Sequence, residues 1–472
     1  MQTKHYSIYS AGKFITSKHI LEVNNPFNHT LVATTYLADK VILEEAITKA
    51  LSIKEELQNL SSQKKYEILK QISDELYSNR NYLAEILSLE SAKPINYALA
   101  EIDRSAYTFL IAAEESIKDR TEHLTLNRIN NTDKREGIVN YFPIGLIAGI
   151  APFNFPMNLA VHKIAPAIAS ACPIILKPAS RTPLSCLELA KIIDRTELPK
   201  GAVSILPMDR ETGNLLVTDE RFKLLSFTGS PDIGWKMKSQ SGKKKVVLEL
   251  GGNAATVITA SADLKDALPK SLMGAFAYSG QICIHAQRFI VHSSLFEIVV
   301  NELKTLTLNL KSGDPLDAAT NISNMIDEAN AVRVENWINE AIQQGAQLVC
   351  GGKRTGSYIE PTILANCNHT MKVYSEEVFG PVICINSYQT IEDAIQQANN
   401  TKFGLQCGVF TNDKAELNKC FKQIEVGGLI HNHVPTLRYD QMPYGGVKDS
   451  GLGREGVKYA MLDMLEPKIL VK

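Results

Sequence analysis

Three short stretches carry side chains able to do covalent chemistry on a carbonyl group. Tyr278-Ser279-Gly280-Gln281-Ile282-Cys283 closes a small-residue, helix-like run over 271–278 with a cysteine. Leu248-Glu249-Leu250-Gly251-Gly252 sets a carboxylate at the end of a β-like run, just before two glycines. Pro152-Phe153-Asn154-Phe155-Pro156 holds an amide between a strand-like and a helix-like run. A thiol nucleophile, a carboxylate base and an amide donor are the groups that thioester chemistry on an aldehyde requires.

Each group also has an ordinary reading. A free thiol with a pKa near ~8.5 is only a few per cent thiolate at neutral pH, so Cys283 needs a base or nearby dipoles to act. A lone cysteine is more often a core residue. Glu249 at a buried strand end is unusual unless paired or functional, and a salt bridge would explain it. Asn154 also suits a turn before a proline at the first helical position.

Two further stretches suit phosphate or ribose binding. Phe227-Thr228-Gly229-Ser230-Pro231 joins a strand end, a sharp turn, a good N-cap and a first-position proline. Free backbone N–H groups there make an anion site, or an ordinary turn between strand and helix. The chain has no GxGxxG after a strand, so the ordinary Rossmann fingerprint is absent. Leu176-Lys177-Pro178-Ala179-Ser180-Arg181 ends an apolar strand on a lysine, placed for a cofactor's adenosine ribose or simply solvated.

The elements that must position these groups follow from the rest of the pattern. The chain has 472 residues, 44% hydrophobic and 21% charged, enough for about three domains. A net charge of -1 provides no global field toward nucleic acid or an anionic membrane. The amino terminus lacks an apolar signal-peptide core, and no apolar run reaches ~18 residues. Neither a nucleic-acid partner nor a membrane is expected. Eight cysteines without a CxxC pair fit a reduced, cytoplasmic protein, with Cys283 the exception to simple burial.

Residues 1–35 read as strands and turns, and 38–118 as helices, with Leu43, Ala46, Ile47 and Ala50 at helical spacing. The polar stretch 124–142, with Asn130-Asn131 at its middle, predicts a protruding β-hairpin that pairs with another subunit or stays a surface loop. From Leu146 short apolar strands (146–151, 173–177, 202–206, 224–228, 246–250) alternate with helices. That alternation predicts a parallel sheet covered on both faces, binding ligands beyond its carboxyl ends. A second α/β series follows, with strands near 254–259, 288–292, 382–386 and 408–411. The tail 466–471 completes a sheet with the arm.

The ordered set of motifs resembles the NAD(P)-dependent aldehyde dehydrogenase superfamily over essentially the whole chain. The set is Phe153 to Pro156, Lys177 to Ser180, Phe227 to Ser230 with Gly234, Glu249 to Gly252, Gly280 to Cys283, Glu377 to Pro381, and Pro443 to Gly451. The resemblance implies an α/β fold with a Rossmann-like cofactor domain (1–123 and 143–250), an α/β catalytic domain (251–435) and a small β oligomerisation arm (124–142 and 455–472). It implies Cys283 as nucleophile, Glu249 as base for water, and Asn154 with the Cys283 N–H as oxyanion hole. Lys177 belongs to this catalytic set and to the cofactor contacts, with Phe153, Ser180, Gly229, Ser230, Glu377 and Phe379. NAD or NADP is the expected cofactor, and a homodimer or homotetramer the expected assembly.

By motif offset the resemblance places Phe155, Leu159, His162, Ile282, Ile284, Arg438 and Tyr444 along the aldehyde tunnel. The stretch from Val434 to Gly446 is similar to the branch of lactaldehyde, phosphonoacetaldehyde and non-phosphorylating glyceraldehyde-3-phosphate dehydrogenases. Arg438 there suggests a small hydroxylated or anionic aldehyde, with help from His162 or Arg104, unless Arg438 pairs with Asp440 or another carboxylate. The alternatives are broad specificity for neutral aliphatic aldehydes or semialdehydes, acylation of coenzyme A, or a structural role without catalysis. Ser180 stands where many NAD-preferring members carry an acid, and Arg181 follows it, so acceptance of NADP is expected. Asp209, in the stretch that replaces a glycine-rich turn, works against NADP. His431 and His433 have no evident third ligand, and no metal is assigned.

Overall fold

Two parallel sheets and a small antiparallel one organise the chain. The computed structural model describes residues 4–127 and 134–472. The expected hairpin turn at Asn130-Asn131 lies outside the described residues.

The first sheet runs in the order Gly451–Leu452, Lys245–Glu249, Leu224–Thr228, Ile147–Ile150, Ile174–Lys177, Val203–Ile205, Ile8–Ser10, Lys13–Ile15. Its five central strands are parallel. Successive residues face opposite sides, as a strand's period of two demands. Ile174 and Leu176 join one core with Ile72, Leu76 and Ile164, whereas Ile175 joins the other with Leu43, Ile47 and Leu216. Helices cover both faces, which is why these strands read as continuous apolar runs. The strand order reverses between Ile147–Ile150 and Leu224–Thr228, opening a crevice at their carboxyl ends. Asn154 follows the first of these strands, and Gly229 and Ser230 follow the second.

The second sheet orders Gln347–Cys350, Thr362–Ala365, Val382–Tyr388, Ala286–His292, Ala254–Ile258, Gln406–Phe410 and Gly428–His431. All neighbours are parallel except the first pair. Gln347–Cys350, Thr362–Ala365 and Gly428–His431 were not anticipated. The two-residue strand Gly451–Leu452 pairs with Lys245–Glu249 and sets Glu249 opposite Gly451, drawing the loop that carries Tyr444 and Glu455 toward that carboxylate.

In the third sheet Leu465–Val471 pairs antiparallel with Lys134–Pro143, which pairs with Glu122–Asn127. The tail therefore completes the arm's sheet. Leu124, Phe142, Ile469, Leu470 and Val471 are exposed on it. Among the described residues no helix is long and apolar enough to cross a membrane.

Candidate active site

Cys283 is delivered by an abrupt turn. The helix Leu264–Phe276 ends, and Tyr278, Ser279 and Gly280 follow with φ of 47°, 52° and 69°. Left-handed backbone at two non-glycine residues is costly and persists only where the surroundings hold it. Here the Tyr278 hydroxyl donates to the Ser91 carbonyl (3.0 Å) and the Ser279 hydroxyl to the Ser323 carbonyl (2.7 Å). Gly280 has no alternative: a Cβ would lie 2.1 Å from the Gly380 carbonyl oxygen. The Gln281 side-chain oxygen accepts from the Ile326 N–H at 2.9 Å, pinning the residue two before the cysteine. Of the eight free cysteines, seven are buried and only Cys283 is partly open.

The thiol lines a cavity of about 180 Å³ whose apolar wall includes Phe155, Leu159, Ile282 and Ile284. Arg104, Arg438 and Tyr444 also line it. This is small for a ligand site and excludes bulky substrates. The Asn154 amide donates to the Gln281 carbonyl at 3.0 Å, bringing the strand-end motif onto the cysteine loop. Its backbone carbonyl accepts from Lys93 Nζ at 2.7 Å. Lys93 is fully buried, ion-paired with Glu101, and its ammonium lies 3.8 Å from the Phe155 ring centre. Glu101 Oε1 accepts from the N–H groups of Met157 (3.0 Å) and Asn158 (3.1 Å), capping the buried helix Pro156–Ala169 from a distant element.

Glu249 is 3% exposed, and neither carboxylate oxygen has a hydrogen-bond partner among the described residues. Burial raises its pKa well above the ordinary value, and the charge of Glu455 adds to this; Arg438, Lys163 and Arg454 oppose it. Glycines let the segments close: a Cβ on Gly445 would lie 2.8 Å from Glu249 Oε1, and one on Gly252 would lie 2.7 Å from the Cys283 carbonyl. Glu455 behaves oppositely. Burial works against its charge, yet Lys163 (2.9 Å) and Arg438 (3.1 Å) hold its pKa down at about 2. One buried carboxyl is kept charged and its neighbour is kept ready to hold a proton.

Tyr444 joins these groups. Its hydroxyl is 3.1 Å from Cys283 Sγ, and the Arg438 guanidinium lies 3.7 Å from its ring centre. Burial pushes the Cys283 thiol up to about 12; Tyr444 and Arg438 pull it down, while Glu377 and Glu249 push it further up. The resting sulfur is therefore protonated.

A second cavity, of about 420 Å³, lies beyond the carboxyl ends of the first sheet and is lined by Lys177, Ser180, Asp209, Arg210, Phe227 and Lys236. The N-cap Ser230 makes no side-chain capping bond, so the first turn of Pro231–Gln240 keeps N–H groups for an anion. Gly229 donates to the Glu249 carbonyl at 3.0 Å, linking the two sites. Phe153 meets Phe379 edge to face, with ring centres 5.8 Å apart. Glu377 Oε1 accepts from the Gly252 N–H at 3.1 Å, and burial raises its pKa to about 7. The cationic cavity, the open helix terminus and the aromatic pair fit the adenosine, pyrophosphate and nicotinamide of NAD or NADP.

Several expectations need correction. Lys177 lines the second cavity, with Ser180 and Gly213, and not the one holding Cys283, which places it with the cofactor contacts. Arg181 pairs with Asp327 at 3.3 Å. Arg181 does not line the cavity that holds Ser180; Arg210 does. His162 does not line the cavity; it is 2% exposed and bonds Asp440 at 2.9 Å. Asp440 also accepts from Arg104 at 2.6 Å, so Arg438 pairs with Glu455 and not with Asp440. Asp209 spends one oxygen on the Thr212 N–H (2.7 Å), capping Arg210–Thr218. Lys93, Glu101, Lys163 and Glu455 escaped the sequence reading. At Lys163 the available signal was a charge inside an apolar helical run, between Val161 and Ile164.

Comparison with known proteins identifies the family. The chain is 40% identical over 472 residues to 3-sulfolactaldehyde dehydrogenase of Priestia aryabhattai, covering all of this chain and 98% of that protein. The structure of aldehyde dehydrogenase 21 from Physcomitrella patens in complex with the reaction product succinate superposes with a TM-score of 0.98 at 42% identity. It covers 100% of this chain and 99% of that one. The glyceraldehyde-3-phosphate dehydrogenase GapN of Methanocaldococcus jannaschii complexed with NADP follows at 0.92 and 36%, covering 96% and 98%. The model of the aldehyde dehydrogenase family matches residues 14–470, and the chain belongs to that family.

Proposed function

We propose that this enzyme oxidises a small aldehyde carrying an anionic group to the carboxylic acid, accepting NADP as well as NAD. The observation that carries the reading is the 180 Å³ cavity in which Cys283 shares walls with two arginines, Arg104 and Arg438. Arg438 keeps a buried Nε without a partner among the described residues. Relatives named for sulfolactaldehyde and for glyceraldehyde-3-phosphate, and one holding succinate, support an anionic substrate.

Cys283 attacks the carbonyl carbon as its proton passes to the Glu249 carboxylate, which releases it to solvent before the thioester is hydrolysed. The developing oxyanion takes an N–H of Asn154 and the Cys283 backbone N–H, a contact type worth ~2.7–4 kcal/mol of barrier. When bound, the nicotinamide supplies the acceptor for the hydride that leaves as the thiohemiacetal becomes a thioester. Glu249, its pKa raised by burial, takes a proton from the water that cleaves the thioester. Acid and free thiol result. A retained base favours water over coenzyme A as acyl acceptor.

Lys177, Ser180 and Arg210 would hold the adenosine ribose and its 2′-phosphate, Ser230 the pyrophosphate, and Glu377, Phe153 and Phe379 the nicotinamide riboside. The exposed apolar residues of the arm support assembly as a dimer or tetramer, and the seven buried free cysteines support a reducing, cytoplasmic setting. A second reading, neutral aldehydes, is favoured by both arginines already having carboxylate partners.

An aldehyde panel run with both cofactors decides. Succinic semialdehyde should outpace butanal in forming NADPH, and Cys283→Ala should be silent. Butanal leading would select the neutral reading, and activity surviving in Cys283→Ala would remove the covalent mechanism.

A further inference from the structure

We propose that Asn158 is a specificity residue that recognises a hydroxyl group on the carbon next to the aldehyde. The inference rests on reading the Cys283 cavity as the aldehyde site. Asn158 is 1% exposed, lines that cavity, and its amide nitrogen has no partner among the described residues. A buried amide left unpaired costs free energy, and such groups in native folds are normally bonded. Its place is not accidental packing slack. The Asn158 backbone N–H is held by Glu101 at 3.1 Å at the start of a wholly buried helix, which leaves the side chain little freedom.

The other walls explain why the amide waits for a ligand. Phe155, Leu159, Ile282 and Ile284 offer it nothing. Thr436 Oγ1, on the same cavity, is likewise buried without a partner. Arg438, whose Nε has no partner among the described residues, is the donor for a distal anion, so the uncharged amide is left for an uncharged polar group. Asn154 lies two residues before the helix Pro156–Ala169 and Asn158 is its third residue, so both sit at the helix start. Asn158 and Cys283 line one cavity, and the proposal sets the amide beside the carbon next to the carbonyl that Cys283 attacks. An amide can donate to a hydroxyl and accept from it, so a 2-hydroxyaldehyde satisfies it and the deoxy analogue leaves it bare.

The test uses uncharged pairs, so that it does not depend on the anion reading. Lactaldehyde and propanal differ by one hydroxyl. The wild-type enzyme should prefer lactaldehyde in kcat/KM by about tenfold or more, and should distinguish its two enantiomers. Asn158→Leu, nearly the same in shape, should lose about tenfold on lactaldehyde, change propanal by less than about twofold, and erase the enantiomer preference. Equal loss on both substrates, or a wild-type enzyme indifferent to the hydroxyl, overturns the proposal. If Asn158→Leu does not fold, Asn158→Ala on the same pair decides by the same ratio. Failure of the aldehyde reading would look different: the wild-type enzyme would turn over neither compound.

Discussion

Replacing Arg438 with glutamine separates substrate recognition from internal charge balance. A charged donor bonded to an anion contributes about 1.5–3 kcal/mol, or about 10- to 150-fold in kcat/KM. Arg438 has other duties: it pairs with Glu455 at 3.1 Å and covers the Tyr444 ring at 3.7 Å. Its loss leaves Glu455 buried with Lys163 alone at 2.9 Å, and breaking a buried pair costs up to about 3–5 kcal/mol where nothing compensates. It also removes a charge that pulls down the pKa of both Cys283 and Glu249. These losses fall on every aldehyde alike. The readout is therefore the ratio of kcat/KM for succinic semialdehyde to that for butanal, which share a four-carbon chain and differ in the carboxylate. Arg438→Gln should lower that ratio by about 10- to 150-fold. A ratio unchanged within about twofold, with both rates reduced, would assign Arg438 wholly to the pair with Glu455 and refute the reasoning.

Glu249→Gln should leave a stoichiometric burst of reduced cofactor and slow the steady state by about 10²- to 10⁴-fold, measured by stopped flow; an unchanged steady state would exclude Glu249 as the base. Because burial raises the folded pKa of Glu249 above the unfolded value near ~4.3, its ionisation costs the folded state as pH rises above that value. Thermal unfolding should therefore show Glu249→Gln more stable than wild type at pH 8 and no more stable near pH 4. Arg210→Gln should raise KM for NADP about tenfold and leave that for NAD nearly unchanged, since only the former carries a charged 2′-phosphate; equal increases would place Arg210 elsewhere. Lys93→Met should cost about 3–5 kcal/mol in denaturant unfolding by leaving Glu101 buried and uncompensated, and should lower kcat through Asn154; an unshifted transition would show that the pair carries no stability.

The strands and helices around the first sheet were legible because a doubly covered parallel strand is a continuous apolar run and its helices repeat at 3.6 residues. The run 174–177 and the helix Leu184–Asp194 are such cases. The left-handed turn before Cys283 was not legible, since Tyr278 and Ser279 have no intrinsic preference for it. Contacts to Ser91 and Ser323, remote in sequence, impose it.

Sequence alone determined the family and pointed to its chemistry: a thiol, a carboxyl and an amide, and the order in which the chain presents them. These are local properties, each carried by a handful of adjacent residues at a strand end. Tertiary structure decided the electrostatics around them. It gave Arg438 to Glu455, Asp440 to Arg104 and His162, Arg181 to Asp327, and left the Glu249 carboxyl and the Asn158 amide nitrogen without partners among the described residues. An ion pair depends on distance in space, and Arg104 and Asp440 are 336 residues apart in the chain. No local pattern encodes which of several carboxylates a given arginine will meet, because packing of the whole chain sets that distance.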